Sequence, residues 1–231
     1  MEVRKVHKRA VAPQEGHACV TGTACGVLDE VLTSGVNMAI WRRSSVHPLN
    51  MEIDTLVDPG WADTIEQTTA VTETGRALTR ALNAAGLDAA LLAHWIRDMS
   101  GLAAVFARVA GASALRIRIE ALGDTMCPRF HVDRNTLRLL CTYRGPATEW
   151  LSNDQVDRRA LASGRPNEEV MRFGPAQRLE PLWVGVMKGS RFPGNEGNGL
   201  VHRSPPVEDP GFTRILFCLD ACESAREGVT T

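Results

Sequence analysis

The sequence lacks the features that mark membrane, secreted and nucleic-acid-binding proteins. No apolar run reaches the roughly 18 residues of a membrane-spanning helix, and the basic start has no apolar secretory segment. The 26 basic and 27 acidic residues nearly cancel, so no global field attracts nucleic acid or an anionic membrane. We therefore expect a cytoplasmic protein, a monomer or homodimer, that binds neither.

Several motifs of catalysis and cofactor binding are absent as well. The six cysteines form no CxxC pair, which predicts mostly reduced, buried thiols instead of a disulfide framework. There is no GxGxxG or GxxxxGK(S/T) loop to hold a nucleotide. A GxSxG nucleophile elbow is also missing. These absences disfavour nucleotide-dependent enzymes and serine hydrolases.

The pattern of apolar residues changes along the chain. Residues 62–110 are rich in Ala and Leu at helical spacing, which predicts two or three amphipathic helices. Before them, 29–34 favours a short helix, 36–41 a strand, and the Pro-containing stretch 47–61 a connection. Alternating apolar residues and Gly/Pro turns then predict five strands, at 115–120, 134–145, 181–189, 199–205 and 212–220.

This order of elements predicts an α+β protein whose short strands, without intervening helices, form an antiparallel sandwich or jelly roll. We expect three regions. Residues 1–112 form a mainly helical N-terminal segment that packs on the outside of a β-barrel. Residues 113–222 form that barrel and carry a metal site, and 223–231 form a flexible tail.

The candidate site begins with His131 and Asp133 in the segment CPRFHVDR. In an extended chain, residues two apart point to the same side, so imidazole and carboxylate would converge. A second imidazole, His202, lies in the strand-like GLVHRSP. Two histidines and one carboxylate that leave other positions open are the ligand set of non-haem Fe(II) oxygenases.

The spacing alone is weak evidence, because about 0.3 His-x-Asp pairs are expected by chance from the composition. The sequence context strengthens the evidence for a site. Arg214 follows His202 near the start of the last predicted strand, where it could bind a carboxylate through two parallel hydrogen bonds. Arg138 and Arg203 are rivals for that anion. Cys127, four residues before His131, leaves a zinc set with a thiolate open, and a structural hydrogen bond between His131 and Asp133 is the plainer interpretation.

The order His-x-Asp, His, Arg in a strand-rich half resembles the 2-oxoglutarate/Fe(II)-dependent dioxygenases over residues 113–220. The resemblance implies a double-stranded β-helix, a jelly-roll variant. It implies that His131, Asp133 and His202 bind Fe(II) and that Arg214 binds the distal carboxylate of 2-oxoglutarate. It makes Tyr143 a candidate for a supporting hydroxyl on the same co-substrate.

A second resemblance covers most of the chain. The strings CPRFHVDRNTLRLLCTYRGPATEWL, MKGSR and GLVHRSPP resemble the bacterial domain of unknown function 1826 family, which implies no particular activity. One feature departs from ordinary dioxygenases. The Gly-rich stretch 190–199 directly precedes His202, and it is either a mobile lid or a distortion of the expected spacing.

Two functions of different classes follow. The first is an Fe(II)/2-oxoglutarate-dependent oxygenase of hydroxylase type, acting on a small molecule or a protein side chain. The second is a cupin-like protein that binds zinc or iron without turnover and serves as a sensor, carrier or interaction module. The sequence does not identify the substrate.

Overall fold

The computed structural model describes residues 18–44, 47–123, 127–206 and 213–222. The expected tail at 223–231 and the first 17 residues lie outside this part of the chain. Within it, the strands are β1 (Ala18–Gly22), β2 (Val36–Trp41), β3 (Thr64–Ala70), β4 (Ala114–Leu122), β5 (Leu137–Arg144), β6 (Glu149–Leu151), β7 (Gln177–Arg178), β8 (Val184–Lys188), β9 (Val201–Arg203) and β10 (Arg214–Ala221).

The helices alternate with these strands mainly in the first half of the chain. The α-helices are α1 (His47–Leu56), α2 (Thr74–Ala84), α3 (Ala93–Ala110), α4 (Arg158–Ala162) and α5 (Asn167–Val170). Short 3₁₀ segments occupy Cys25–Leu32, Val71–Glu73, Ala89–Leu91 and Asn153–Gln155. None of the helices in the described ranges has the length and apolar character needed to traverse a bilayer.

Two sheets organise the described residues. The large sheet has the order β1-β2-β8-β5-β10-β4-β3, and the small sheet has the order β7-β6-β9. All neighbouring strands are antiparallel except β1 and β2, which pair in parallel. β10 is central, with β4 on one side and β5 on the other.

The two faces of the large sheet have different partners, because strand side chains alternate between faces. Leu139, Ile117 and Phe217 lie on the face that packs against α1, α2 and α3. The opposite face presents Leu140 and Leu216 to residues of the small sheet such as Trp150. The space between the two sheets therefore forms a second core, and the candidate site lies at its edge.

The predicted α+β class with a large sheet is confirmed. The predicted strands at 36–41, 115–120, 134–145, 181–189, 199–205 and 212–220 correspond to β2, β4, β5, β8, β9 and β10. The large sheet also includes β1, β2 and β3, so it draws strands from both sides of the division expected at residue 113.

Two elements differ from the sequence expectation. The helical stretch expected from residue 62 begins instead with β3, an edge strand whose sequence TIEQTTA buries only Ile65. The connection expected at 47–61 contains α1, in which Leu49 and Ile53 are buried one turn apart. Pro48 lies in the first turn of α1, where a missing N–H breaks no helical hydrogen bond.

Candidate metal site

His131 and His202 are placed side by side by the backbone. The two residues form an isolated antiparallel bridge, and each backbone N–H donates to the other residue's carbonyl oxygen at 3.0 Å. Their imidazole ring centroids are 4.5 Å apart. The bridge thus joins the segment that precedes β5 to the middle residue of β9, although the two lie far apart in sequence.

Asp133 completes the group from the same side. Its Oδ1 lies 3.8 Å from His131 Nε2 and its Oδ2 lies 3.4 Å from His202 Nε2. One ligand atom from each of the three residues lies within 4.8 Å of the others, which is the arrangement that the His-x-Asp spacing predicts. Among the described residues this is the one such cluster of three or more histidine, cysteine or acidic side chains.

The hydrogen bonds of the two imidazoles fix which nitrogen is free. His131 Nδ1 lies 2.9 Å from the carbonyl oxygen of Arg129, and His202 Nδ1 lies 3.3 Å from that of Leu200. A carbonyl oxygen only accepts, so both Nδ1 atoms carry the proton and donate. Both Nε2 lone pairs therefore face Asp133 and are available to a metal ion, as in sites where a backbone carbonyl orients a ligating histidine.

Burial also keeps His202 neutral. Desolvation lowers the pKa of His202 from 6.5 to about 4, and the nearby carboxylate of Asp133 opposes this only in part. A neutral imidazole is the form that binds a metal. His202 therefore needs no deprotonation at neutral pH before it can act as a ligand.

The three residues fit a divalent transition metal. Atoms at about 2.1 Å from one ion in adjacent octahedral positions lie about 3 Å apart, and the two measured separations are within about 1 Å of that value. Two imidazole nitrogens and a carboxylate form a donor set that suits iron or zinc. Small inward movements of the side chains would bring them to ligand distance.

The site opens into a cavity of about 320 Å³ between the two sheets. Arg118, Glu120, Leu140, Leu216 and Cys218 line its wall on the large sheet. His131, Asp133 and His202, with Cys127, Arg138, Thr148, Arg203 and Ser204, complete the lining. The alternation of β4 places Leu115, Ile117 and Ile119 in the helix-side core, so Arg118 and Glu120 face this cavity.

Arg214 lies on the cavity side of β10, at a position of the same parity as Leu216 and Cys218. Its Nε donates to the carbonyl oxygen of Pro146 at 2.8 Å, and its Nη2 donates to Thr148 Oγ1 at 3.0 Å. Its Nη1 is buried and has no hydrogen-bond partner. Arg214 is not among the residues that line the cavity, but its hydrogen-bond partner Thr148 is. A buried guanidinium with an unused donor behind that wall has the chemistry to bind a carboxylate.

Tyr143 does not join this group. Its hydroxyl donates to Asp98 Oδ2 at 2.6 Å, and its ring contacts Trp95 and Phe217 in the helix-side core. Tyr143 shares its strand parity with Leu139, whereas Leu140 faces the cavity. The placement of Tyr143 on the opposite face of the sheet contradicts the co-substrate role suggested for it.

The rival residues have other partners. Arg203 Nε donates to Glu149 Oε2 at 2.7 Å, and Arg138 bonds Asp133 and Asp220. Cys127 lines the cavity but lies outside the cluster of ligand atoms. The sequence interpretation missed Asp220 and Glu120. The signal for Glu120 was the alternation of charged with apolar residues along β4, and the signal for Asp220 was a lone carboxylate at the end of the apolar strand β10.

The Gly-rich stretch 190–199 is tied to the rest of the chain. Ser190 N–H donates to the carbonyl oxygen of Asp133 at 2.8 Å, and Arg158 Nη1 donates to that of Gly199 at 2.8 Å. The amide of Asn195 donates to the side chain of Asn37 at 2.9 Å. These contacts disfavour the lid interpretation, and they hold the stretch against the segment that carries Asp133.

Comparison with known proteins gives a family and a set of similar structures. The family model described as "Protein of unknown function (DUF1826)" matches residues 22–220, which confirms the resemblance predicted from the sequence. No curated protein matches the chain.

The similar solved structures include 2-oxoglutarate dioxygenases. Dioxygenase for auxin oxidation 1 of Arabidopsis thaliana, solved with 2-oxoglutarate, has a TM-score of 0.47 and 11% identity over 88% of this chain and 91% of that chain. A prolyl-4-hydroxylase of Pseudomonas putida has a TM-score of 0.41 and 12% identity over 87% and 99%. T7H of Neurospora crassa, solved with alpha-KG, has a TM-score of 0.41 and 11% identity over 93% and 88%. At these scores, the chemistry of the site has to be inferred from its own side chains.

Proposed function

The chain belongs to the DUF1826 family of proteins of unknown function, and we propose from its site that it is a non-haem Fe(II)- and 2-oxoglutarate-dependent oxygenase of hydroxylase type. The observation that supports this most strongly is the combination of two features, one that lines the cavity and one that lies behind its Thr148 wall. His131, Asp133 and His202 offer three free ligand atoms, and Arg214 offers a buried donor without a partner.

Each residue has a role that follows from its surroundings. The two Nε2 atoms and the Asp133 carboxylate would hold the ion on one side and leave its other positions to the co-substrates. Arg214, with Thr148 Oγ1 beside it, would bind the distal carboxylate of 2-oxoglutarate. When bound, iron with 2-oxoglutarate and dioxygen supplies the oxidising power that hydroxylates an unactivated C–H bond.

Part of the remaining wall is apolar and would help to orient the substrate. Leu140 and Leu216 present apolar surface to the cavity, which lowers the local dielectric around the charged groups. The substrate would be a small molecule or a protein side chain. We propose that the two facing sheets are the two halves of a double-stranded β-helix.

Reconstitution tests this function directly. The full chain, loaded with Fe(II) under anaerobic conditions, is exposed to dioxygen with 2-oxoglutarate, and succinate is quantified. We expect succinate formation above a metal-free control even without a substrate, and its loss in His202→Ala. Arg203→Gln serves as the matched control, because Arg203 lines the same cavity but pairs with Glu149. Absence of succinate from protein shown to contain iron would refute the proposal.

A second function is supported by Cys127. Its thiol is exposed and its residue lines the cavity next to the three ligand residues. Zinc accepts sulfur, nitrogen and oxygen ligands, so a modest movement of this segment would give a four-ligand zinc site without turnover. Zinc affinity in the full chain and in Cys127→Ser distinguishes the two, because only this second function requires the thiolate.

A further inference from the structure

Arg138 joins the candidate metal ligand Asp133 to a second carboxylate on the large sheet. Its Nη1 donates to Asp133 Oδ2 at 2.6 Å. Its Nε and Nη2 donate to Asp220 Oδ1 and Oδ2, both at 2.8 Å. A guanidinium with three short bonds to two carboxylates is held in one geometry, since its donors form a rigid planar fork.

The position of this fork is set by strand pairing. Arg138 on β5 is directly opposite Asp220 on β10, so the bidentate pair is a cross-strand pair on the cavity face. Asn135 Nδ2 adds a further hydrogen bond to Asp220 Oδ1 at 2.8 Å. Burial would raise the pKa of Asp220, but its hydrogen bonds and the charge of Arg138 outweigh burial and lower it. Asp220 therefore stays ionised and anchors Arg138.

Of the guanidinium nitrogens, Nη1 is the one that bonds Asp133. The two oxygens of the Asp133 carboxylate are thereby made unequal. Oδ2 accepts the bond from Arg138 and lies 3.4 Å from His202 Nε2, whereas Oδ1 accepts no hydrogen bond from any described residue and lies 3.8 Å from His131 Nε2. The positive charge of Arg138 next to Oδ2 also repels a metal ion, which disfavours coordination through Oδ2.

We infer that Arg138 is a positioning residue that restricts Asp133 to one oxygen on the metal and so keeps three adjacent coordination positions open. A carboxylate can bind a metal through one oxygen or two. With two imidazoles and one oxygen, an octahedral ion keeps three free positions; with both oxygens it keeps two. This inference rests on the proposed function, because a co-substrate that chelates through two atoms, together with dioxygen, needs all three.

The number of free positions can be counted as bound water. Mn²⁺ binds the same nitrogen and oxygen ligands, and its inner-sphere water exchanges rapidly and increases the relaxation rate of bulk water protons in proportion to the number bound. The experiment measures this enhancement for Mn²⁺ bound to the full chain, to Arg138→Gln and to the control Arg203→Gln. Mn²⁺ affinity is measured in the same titrations.

For Arg138→Gln we expect the enhancement of the water-proton relaxation rate to be lower by about one third than for the unmodified chain, because the bound Mn²⁺ would hold two water molecules instead of three. We expect Mn²⁺ to bind at least as tightly, because a ligand oxygen is gained and a competing cation is lost. Arg138→Lys, which keeps the charge beside Asp220 but not the fork, should give a value between the two and serves as the test if the Gln variant does not fold. Arg203→Gln should match the unmodified chain.

An enhancement in the Arg138 variants equal to that of the unmodified chain would overturn the inference. A loss of Mn²⁺ affinity in a folded Arg138 variant would overturn it too, since Arg138 would then build the site and not restrict it. The oxygenase proposal and the role of Arg138 fail separately. Three waters on Mn²⁺ with no succinate from the iron-loaded chain would refute the oxygenase and leave the role of Arg138 intact, and a chain that binds no Mn²⁺ would refute both.

Discussion

Replacement of Arg214 by Met is the sharpest test of the proposed co-substrate site. Met has a similar length and no charge, so it removes the guanidinium with little change in packing volume. In the unmodified chain, Nη1 is buried without a partner, and burial lowers the pKa of Arg214. The guanidinium is therefore poorly compensated until a carboxylate binds it.

The structure predicts effects of different size with and without ligand. Loss of one partner from a buried charge pair costs about 2–5 kcal/mol of binding free energy, which weakens 2-oxoglutarate binding by about 30-fold or more. Without ligand, Met leaves Pro146 O and Thr148 Oγ1 without their donors, but it also removes a donor whose unpaired burial costs about 1–3 kcal/mol. These terms oppose each other, so the unfolding free energy should change by about 1 kcal/mol or less.

Calorimetric titration of 2-oxoglutarate into the Mn²⁺-loaded chain measures the first effect without turnover, and urea unfolding measures the second. Arg203→Met is the matched control, because it removes an arginine that lines the cavity and whose charge is already paired with Glu149. The reasoning is wrong if Arg214→Met binds 2-oxoglutarate within about threefold of the unmodified chain. It is equally wrong if the variant loses more than about 3 kcal/mol of stability, because Arg214 would then be a structural residue.

Three further predictions follow from the same region. The pKa of His202 is about 4 in the folded chain, against its ordinary value of 6.5, so the unfolded state binds the proton more tightly. As the pH falls from 6.5 towards 4, the free energy of unfolding of the metal-free protein, measured by urea titration, should therefore decrease by an amount approaching about 3 kcal/mol. The variant His202→Gln should not show this decrease. Gly199→Ala places a methyl group against Val132 Cγ1 and the Gly189 carbonyl carbon, next to the segment that bears His131 and Asp133. This clash should displace the ligands and lower the Mn²⁺ affinity about tenfold or more. The control Gly101→Ala, whose methyl group meets nothing within 4 Å, should keep the affinity of the unmodified chain. Tyr143→Phe removes a hydrogen bond to Asp98; it should cost about 1–3 kcal/mol in urea unfolding and leave the calorimetric affinity for 2-oxoglutarate unchanged.

The sequence predicted the elements whose apolar pattern is strong. The strands β4, β5 and β10 each alternate or bury almost every residue, so their periodicity locates them within a few positions. By contrast, β3 is a Thr-rich edge strand with one buried residue, and nothing in its pattern distinguishes it from a polar lead-in. The pairing of β2 with β8 depends on contacts far apart in sequence, which local patterns do not encode.

In the candidate site, too, local sequence patterns predicted some residues, whereas others depended on contacts between distant parts of the chain. The sequence identified His131 and Asp133 because residues two apart in an extended chain point to the same side. It identified His202 because this residue lies in a predicted apolar strand. Tyr143 was assigned wrongly, although its odd-numbered position places it with Leu137 and Leu139 on the helix-side face. The role of Arg138 was missed because the cross-strand partner Asp220 is about 80 residues away.

The bridge between His131 and His202 has a consequence for folding. Its two residues are about 70 positions apart in the chain, and a cross-link of that span removes about 4 kcal/mol of conformational entropy from an unfolded chain. A metal ion bound by both imidazoles would act as a reversible cross-link of this kind. Availability of the metal would then determine how firmly the ends of this long loop stay closed, and slow amide exchange at these two residues would record its presence.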